Sequence, residues 1–168
     1  MSKAVMKPVK LLFVCMGNIC RSPLAEGIFL HLAKEIGRQD HYRVDSAGIG
    51  DWQVGNAPDP RSEAVANVHG IRLACRARQV STPEDFEEFD LLLAMDRQNQ
   101  RDLFHLSPTE HHGKIRLMRS FDPEGDSDSE VPDPYLGGQK GFEHVYDMLH
   151  RSCTVLLDML EQGGGKLD

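Results

Sequence analysis

Val9-Lys10-Leu11-Leu12-Phe13-Val14-Cys15-Met16-Gly17-Asn18-Ile19-Cys20-Arg21-Ser22-Pro23 is the stretch that decides how this chain folds. Val9 to Val14 form a β-rich apolar run, the pattern of a strand buried on both faces of a parallel sheet. Gly17-Asn18 breaks that run. Pro23 then opens a helical pattern that sets Ala25, Ile28, Phe29, Leu32 and Ile36 on one face, and Gly37 is its natural stop.

Outward from this unit the alternation continues. Arg43 to Gly48 reads as a short second strand. Asp59-Pro60 supplies the cap and first position of a helix carrying Ala64, Val65 and Val68 and ending at Gly70. Phe89 to Met95 reads as a third buried strand, although periodicity alone leaves a helix open. A polar helix follows from about Arg97 to Leu106, and Lys114 to Met118 is a candidate fourth strand. Phe142, Val145, Tyr146, Leu149, Cys153, Leu156, Leu157 and Leu160 recur at helical spacing in the last helix, which frays at Gly163-Gly164-Gly165. The expectation is one α/β domain over residues 1–168, a four-stranded parallel sheet with helices on both faces in the Rossmann manner. No internal repeat or linker divides it.

A chain of 168 residues with 40% apolar and 27% charged residues can bury a core without disulfide or metal staples. Nothing reaches the roughly 18 apolar residues of a membrane span. Leu11 to Met16 is short and lacks a small-residue cleavage site, so despite Lys3, Lys7 and Lys10 it does not read as a signal peptide. The expected location is the cytoplasm. A net charge of −7 disfavours general nucleic-acid binding, so any anion must be held by a local site. Cys15, Cys20, Cys75 and Cys153 form neither a disulfide framework nor a zinc pair, and the histidines, His111-His112 included, lack ligand spacing. Free thiols in a reducing compartment are expected, with no metal and no cofactor.

Ligands of such sheets bind beyond the carboxyl ends of the strands, which directs attention to the loop from Cys15 to Ser22. Successive backbone N–H groups of Met16, Gly17, Asn18, Ile19 and Cys20 can form an anion nest. The helix start adds unpaired donors and partial positive charge. Arg21 brings a fixed fork matched to two phosphate oxygens. The same field favours the thiolate of Cys15, and Ser22 could hydrogen-bond that sulfur.

Val14-Cys15-Met16-Gly17-Asn18-Ile19-Cys20-Arg21-Ser22-Pro23-Leu24-Ala25-Glu26 resembles the signature of the low-molecular-weight protein tyrosine phosphatases. The similarity runs on through Asp45-Ser46-Ala47-Gly48, Asp59-Pro60-Arg61, His69-Gly70-Ile71, Met95-Asp96 and Asp133-Pro134-Tyr135, covering nearly the whole chain. The resemblance implies metal-independent hydrolysis of phosphotyrosine through a cysteinyl-phosphate, with Cys15 as nucleophile and Arg21 and the loop as phosphate clamp. It implies that Asp133, stiffened by Pro132 and Pro134, is the acid for the leaving group. Asp59-Pro60 and Asp122-Pro123 carry the same dipeptide, which by itself is only a turn signal.

By the same resemblance Asn18, Ser46 and His69 form a hydrogen-bond network that holds the loop, and Asn18 also tolerates a left-handed backbone. An ordinary turn serine and a helix-end histidine are the alternatives for Ser46 and His69. Trp52 and Tyr135 are expected to wall the cleft; Leu136 stands where the family often has a second aromatic residue. Cys20 is the implied redox partner of Cys15. The carboxylates between Asp122 and Asp133 lack the glycine and glutamate of a calcium loop and read as a solvated turn. Phosphotyrosine proteins are the implied partners, with a cognate tyrosine kinase, acting on a monomer or weak dimer without nucleic acid or membrane. The alternatives are an arsenate reductase of the same fold, for which Cys75 has no partner thiol nearby, and a phosphoarginine phosphatase, which carries threonine where this chain has Ile19. A non-enzymatic phosphotyrosine-binding or redox-sensing module is the third.

Overall fold

A computed structural model describes residues 7–167; Lys3, counted above, lies outside them. Four strands, β1 (Val9–Cys15), β2 (Tyr42–Gly48), β3 (Leu91–Ala94) and β4 (Ile115–Leu117), make one sheet in the order β2-β1-β3-β4. Every pairing is parallel. Alternation along the central β1 divides the core in two. Leu11, Phe13 and Cys15 face α1 (Arg21–Glu35) and α5 (Gln139–Gln162). Leu12 and Val14 face Phe86 of α3 (Glu84–Glu88) and Leu103 of α4 (Arg97–Leu106). Helices therefore cover both faces, as the sequence leads one to expect.

Several local boundaries differ from the sequence reading for physical reasons. The third strand, expected over Phe89 to Met95, is shorter: Leu91 to Ala94 are buried on both faces and pair with β1, while Phe89 caps α3. The α1 helix begins at Arg21, ahead of Pro23. Proline is tolerated there because the N–H groups of a first turn have no intrahelical acceptor. Its other end follows the sequence. Gly37 takes φ 70°, its N–H donates to Lys34 and that of Arg38 to Ala33, a Schellman stop. In α2 (Pro60–Val68) the buried face is Ser62, Val65 and Ala66, and Val68 points outward. Ile36, at the cap of α1, is also exposed. No helix of the described residues is long and apolar enough to cross a membrane.

The chain leaves β1 for β2 on one side and returns to β3 on the other, so the topology switches direction beside β1. The loop after β1 lies at that switch, flanked by the ends of β2 and β3, where open α/β sheets bind ligands.

Candidate active site

Cys15 ends β1 and is 2% exposed. The carbonyls that follow are turned outward and satisfied by neighbours. Ile49 N–H donates to Cys15 O at 3.0 Å, Gly50 N–H to Met16 O at 2.9 Å, and Asp59 N–H to Ile19 O at 2.7 Å. The Ser62 hydroxyl donates to Cys20 O at 3.1 Å. In a trans peptide the next N–H points opposite to its carbonyl. The N–H groups of Met16, Gly17, Cys20 and Arg21 are thereby aimed away from these partners, toward the loop's interior, as an anion nest requires.

Asn18 closes the turn. It is the described non-glycine residue with a left-handed backbone, φ 58°, and is 1% exposed. Its N–H donates to Cys15 Sγ at 3.3 Å. Its side-chain orientation is set by its partners: Oδ1 accepts the Arg78 N–H at 2.9 Å, so Nδ2 donates to Ser22 Oγ at 2.8 Å. With its oxygen accepting there, the Ser22 hydroxyl is left to donate toward Cys15 Sγ, 3.0 Å away.

Arg21 is 2% exposed at the first turn of α1. Nη1 donates to Asp96 Oδ2 at 2.7 Å and to the Val131 carbonyl at 2.9 Å. This occupies one edge of the guanidinium. The other edge carries Nε, buried and without a partner among the described residues, and Nη2, 3.8 Å from Asp133 Oδ2. Burial works against the charge of Arg21, but Cys15, Asp96 and Asp133 outweigh it and hold its pKa above the ordinary arginine value. Two parallel N–H donors remain for a tetrahedral anion.

The cavity above the loop holds about 180 Å³ and is lined by Cys15, Gly17, Arg21, Trp52, Asp133 and Tyr135, among others. Trp52 is 63% exposed and its ring lies against Gly50, leaving no room for a Cβ there. A lone tryptophan is more often core; this one stands at the mouth. Ile19 also lines the cavity, and Leu136, which follows Tyr135 in sequence, projects into solvent.

The structure separates the three Asp-Pro dipeptides. Asp59 caps α2, accepts the Arg61 N–H at 2.8 Å and pairs with that guanidinium, which holds its carboxyl below the usual range. The Asp122 carboxylate is fully buried; despite the cost of burial, Arg151, the Glu124 N–H and Arg119 pull it down to about 2. Only Asp133 borders the cavity, its side chain half-exposed and one oxygen accepting the Tyr135 N–H at 3.0 Å.

Not every expected residue meets the loop. His69 lies exposed at the C-cap of α2, its ring stacked on Tyr146 with centroids 3.9 Å apart and planes 7° from parallel. It is a helix-end histidine, and the Arg78 N–H supports Asn18 in its place. Ser46 is buried on β2 opposite Phe13. Among the described residues its Oγ makes no hydrogen bond of good geometry, but it faces the side chains of Glu26 and Cys75 closely enough to favour their charged forms. Burial beside Asp45, only partly offset by Ser46 and Arg78, pushes the Glu26 carboxyl up to about 7. Asp96, which clamps Arg21, carried no assigned role in the sequence; its signal was a cap position before α4, where it accepts the Asn99 N–H at 2.7 Å.

Residues 10–165 match the family described as low molecular weight phosphotyrosine protein phosphatase. The chain is 42% identical over 160 residues to the low molecular weight phosphotyrosine protein phosphatase of Sus scrofa, covering 94% of this chain and 98% of that one. It resembles the crystal structure of a protein tyrosine phosphatase from Entamoeba histolytica (TM-score 0.88, 38% identity, 93% of this chain and 99% of that one). A Drosophila arginine phosphatase is also similar (TM-score 0.82, 36% identity, 97% and 100%).

Proposed function

That the chain belongs to the low molecular weight phosphotyrosine protein phosphatase family is the premise from which we propose that it hydrolyses phosphotyrosine in proteins, and small aryl phosphates, through a phosphoryl group carried on Cys15. The observation that carries the reading is the convergence on one cavity of a strand-end thiol, the unpartnered Arg21 Nε and a carboxyl at the lip.

In the first step Cys15 Sγ attacks phosphorus in line, forming the S–P bond as the bond to the tyrosyl oxygen breaks. Asp133, protonated, gives its proton to that departing oxygen. In the second step water attacks phosphorus, Asp133 takes its proton, and the S–P bond breaks to release orthophosphate. The Ser22 hydroxyl, donating to Sγ, stabilises the thiolate as it leaves. Through both steps the Nε and Nη2 edge of Arg21 and the inward N–H groups follow the equatorial oxygens. Trp52 and Tyr135 flank the ring.

In this reading the protein acts in the cytoplasm, as a monomer or weak dimer, on the products of a tyrosine kinase; its free thiols suit a reducing compartment. Cys20 is the proposed redox partner of Cys15. Burial, with Asp59, Cys15 and Asp133 beside it, pushes its thiol up to about 12, so it waits protonated. The arginine phosphatase likeness favours a second reading, against which stands the apolar Ile19 on the cavity wall. Hydrolysis of a phosphotyrosine peptide, lost in Cys15→Ser, with little release from phosphoarginine, is the expected result; the reverse preference would replace one reading by the other.

A further inference from the structure

Arg61, on the first turn of α2, takes no part in the cycle above. Its Nε and Nη2 form a two-point pair with Asp59 at 3.0 and 2.9 Å, and Asp59 is tied to the phosphate loop through the Ile19 carbonyl. Its remaining nitrogen, Nη1, donates to the Gly137 carbonyl at 3.0 Å. The flat guanidinium lies 4.5 Å from the centre of the buried Phe142 ring and 5.5 Å from that of Tyr135. One planar group therefore joins the phosphate loop, the start of α5 and the aromatic side of the cavity.

Pro134 is buried, but residues 135–138 are exposed and have little else to hold them. Among the described residues their other hydrogen bonds are local: Tyr135 N–H to Asp133, Gly137 N–H to Pro134, and Gly141 N–H to Gly138. Tyr135 is 46% exposed, so packing alone does not fix its ring. Resting on the reading of this cavity as a phosphotyrosine site, we propose that Arg61 is a positioning residue that acts through Tyr135, holding the aromatic wall at a fixed place relative to the bound phosphate. It sets affinity for the ring and leaves phosphate binding alone. The role needs an arginine. A lysine ammonium is a point charge that cannot pair at two points with Asp59, reach Gly137 and offer a flat face to two rings together.

The test measures KM and kcat for p-nitrophenyl phosphate, and inhibition by orthophosphate, in the native chain and in Arg61→Gln, Arg61→Lys, Tyr135→Ala and the Arg61→Gln/Tyr135→Ala pair. Arg61→Gln and Arg61→Lys are expected to raise KM by about three- to tenfold while the orthophosphate inhibition constant stays within about twofold. In the double variant Arg61→Gln should add little to the loss already caused by Tyr135→Ala, since both act through one contact. An unchanged KM would overturn the proposal. So would full restoration by lysine, additive losses in the pair, or a parallel rise in the orthophosphate constant, which would mark a general collapse of the loop. A native chain that fails to hydrolyse the ester at all would refute the phosphatase reading itself, a separate outcome.

Discussion

Asp133 and Arg21 face one another across 3.8 Å with the thiol beneath, and the roles of the single residues follow from what each already touches. Arg21 spends Nη1 on Asp96 and Val131, leaving its other edge for the anion. Asp133 has one oxygen held by Tyr135 N–H and the other turned toward the cavity side of Arg21. Removing the proposed proton donor should matter most where the leaving group needs it. Asp133→Ala is expected to lower kcat/KM, which reports the step that expels the leaving group, by about 10²-fold or more on phosphotyrosine, and by less on p-nitrophenyl phosphate, whose phenolate leaves unaided. Steady-state rates across phenols of graded acidity check this. An equal loss on every leaving group would remove Asp133 from the acid's role.

At the scale of elements, the anion loop is held from outside by the end of β2. A Cβ added to Gly48 would meet Met16 O at 3.0 Å and the Gly17 carbonyl carbon at 3.1 Å, both backbone atoms. Gly48→Ala should therefore push the loop out of register: folding stability falls by about 1–3 kcal/mol, and orthophosphate inhibits the variant more weakly. Thermal unfolding and product inhibition measure both; unchanged inhibition would show that the loop keeps its shape without this contact. How much was legible varied by element for physical reasons. β1, the loop and α1 announced themselves, because an apolar run, Gly17-Asn18 and the Gly37 stop each act locally. Helix α3, with only five residues, and the 3-10 turns at 39–41, 109–114 and 118–121 are too short to show a period. Asp133 could not be told from Asp59 and Asp122 by sequence alone, since the difference lies in which arginines reach each carboxylate. His69 failed as a loop support because its stacking partner, Tyr146, comes from the distant α5. Asp96 was unassigned because its bond to Arg21 joins segments 75 residues apart.

For the whole molecule, the same sheet that presents the loop also buries an acid behind it. Glu26, on α1 against β2, keeps its proton in the folded state up to about 7, whereas an unfolded glutamate loses it near 4.5. Between those values the folded chain binds more protons than the unfolded one, so stability falls as pH rises through the window. Glu26→Gln should flatten that slope and raise the melting temperature above pH 7 relative to the native chain. Calorimetry from pH 5 to pH 8 reads it, on the order of the window given by these values; identical slopes would show that the acid is solvated in the folded state. The Asp122 clamp works in the opposite direction. Its carboxyl, pulled from 3.8 to about 2, stabilises the fold above about 4 and loses that contribution as pH falls through about 2.

Chemistry on Cys15 is what the proposed cycle makes all these parts serve, and it can be read directly. The Asp133→Ala variant, lacking the proposed base for hydrolysis of the intermediate, is mixed with p-nitrophenyl phosphate, quenched in acid within a turnover and digested for mass spectrometry. One phosphoryl group on the peptide containing Cys15, absent when Cys15→Ser is added, is the predicted result. A phosphoryl group on any other side chain, or continued turnover by the Cys15→Ser chain, would contradict it.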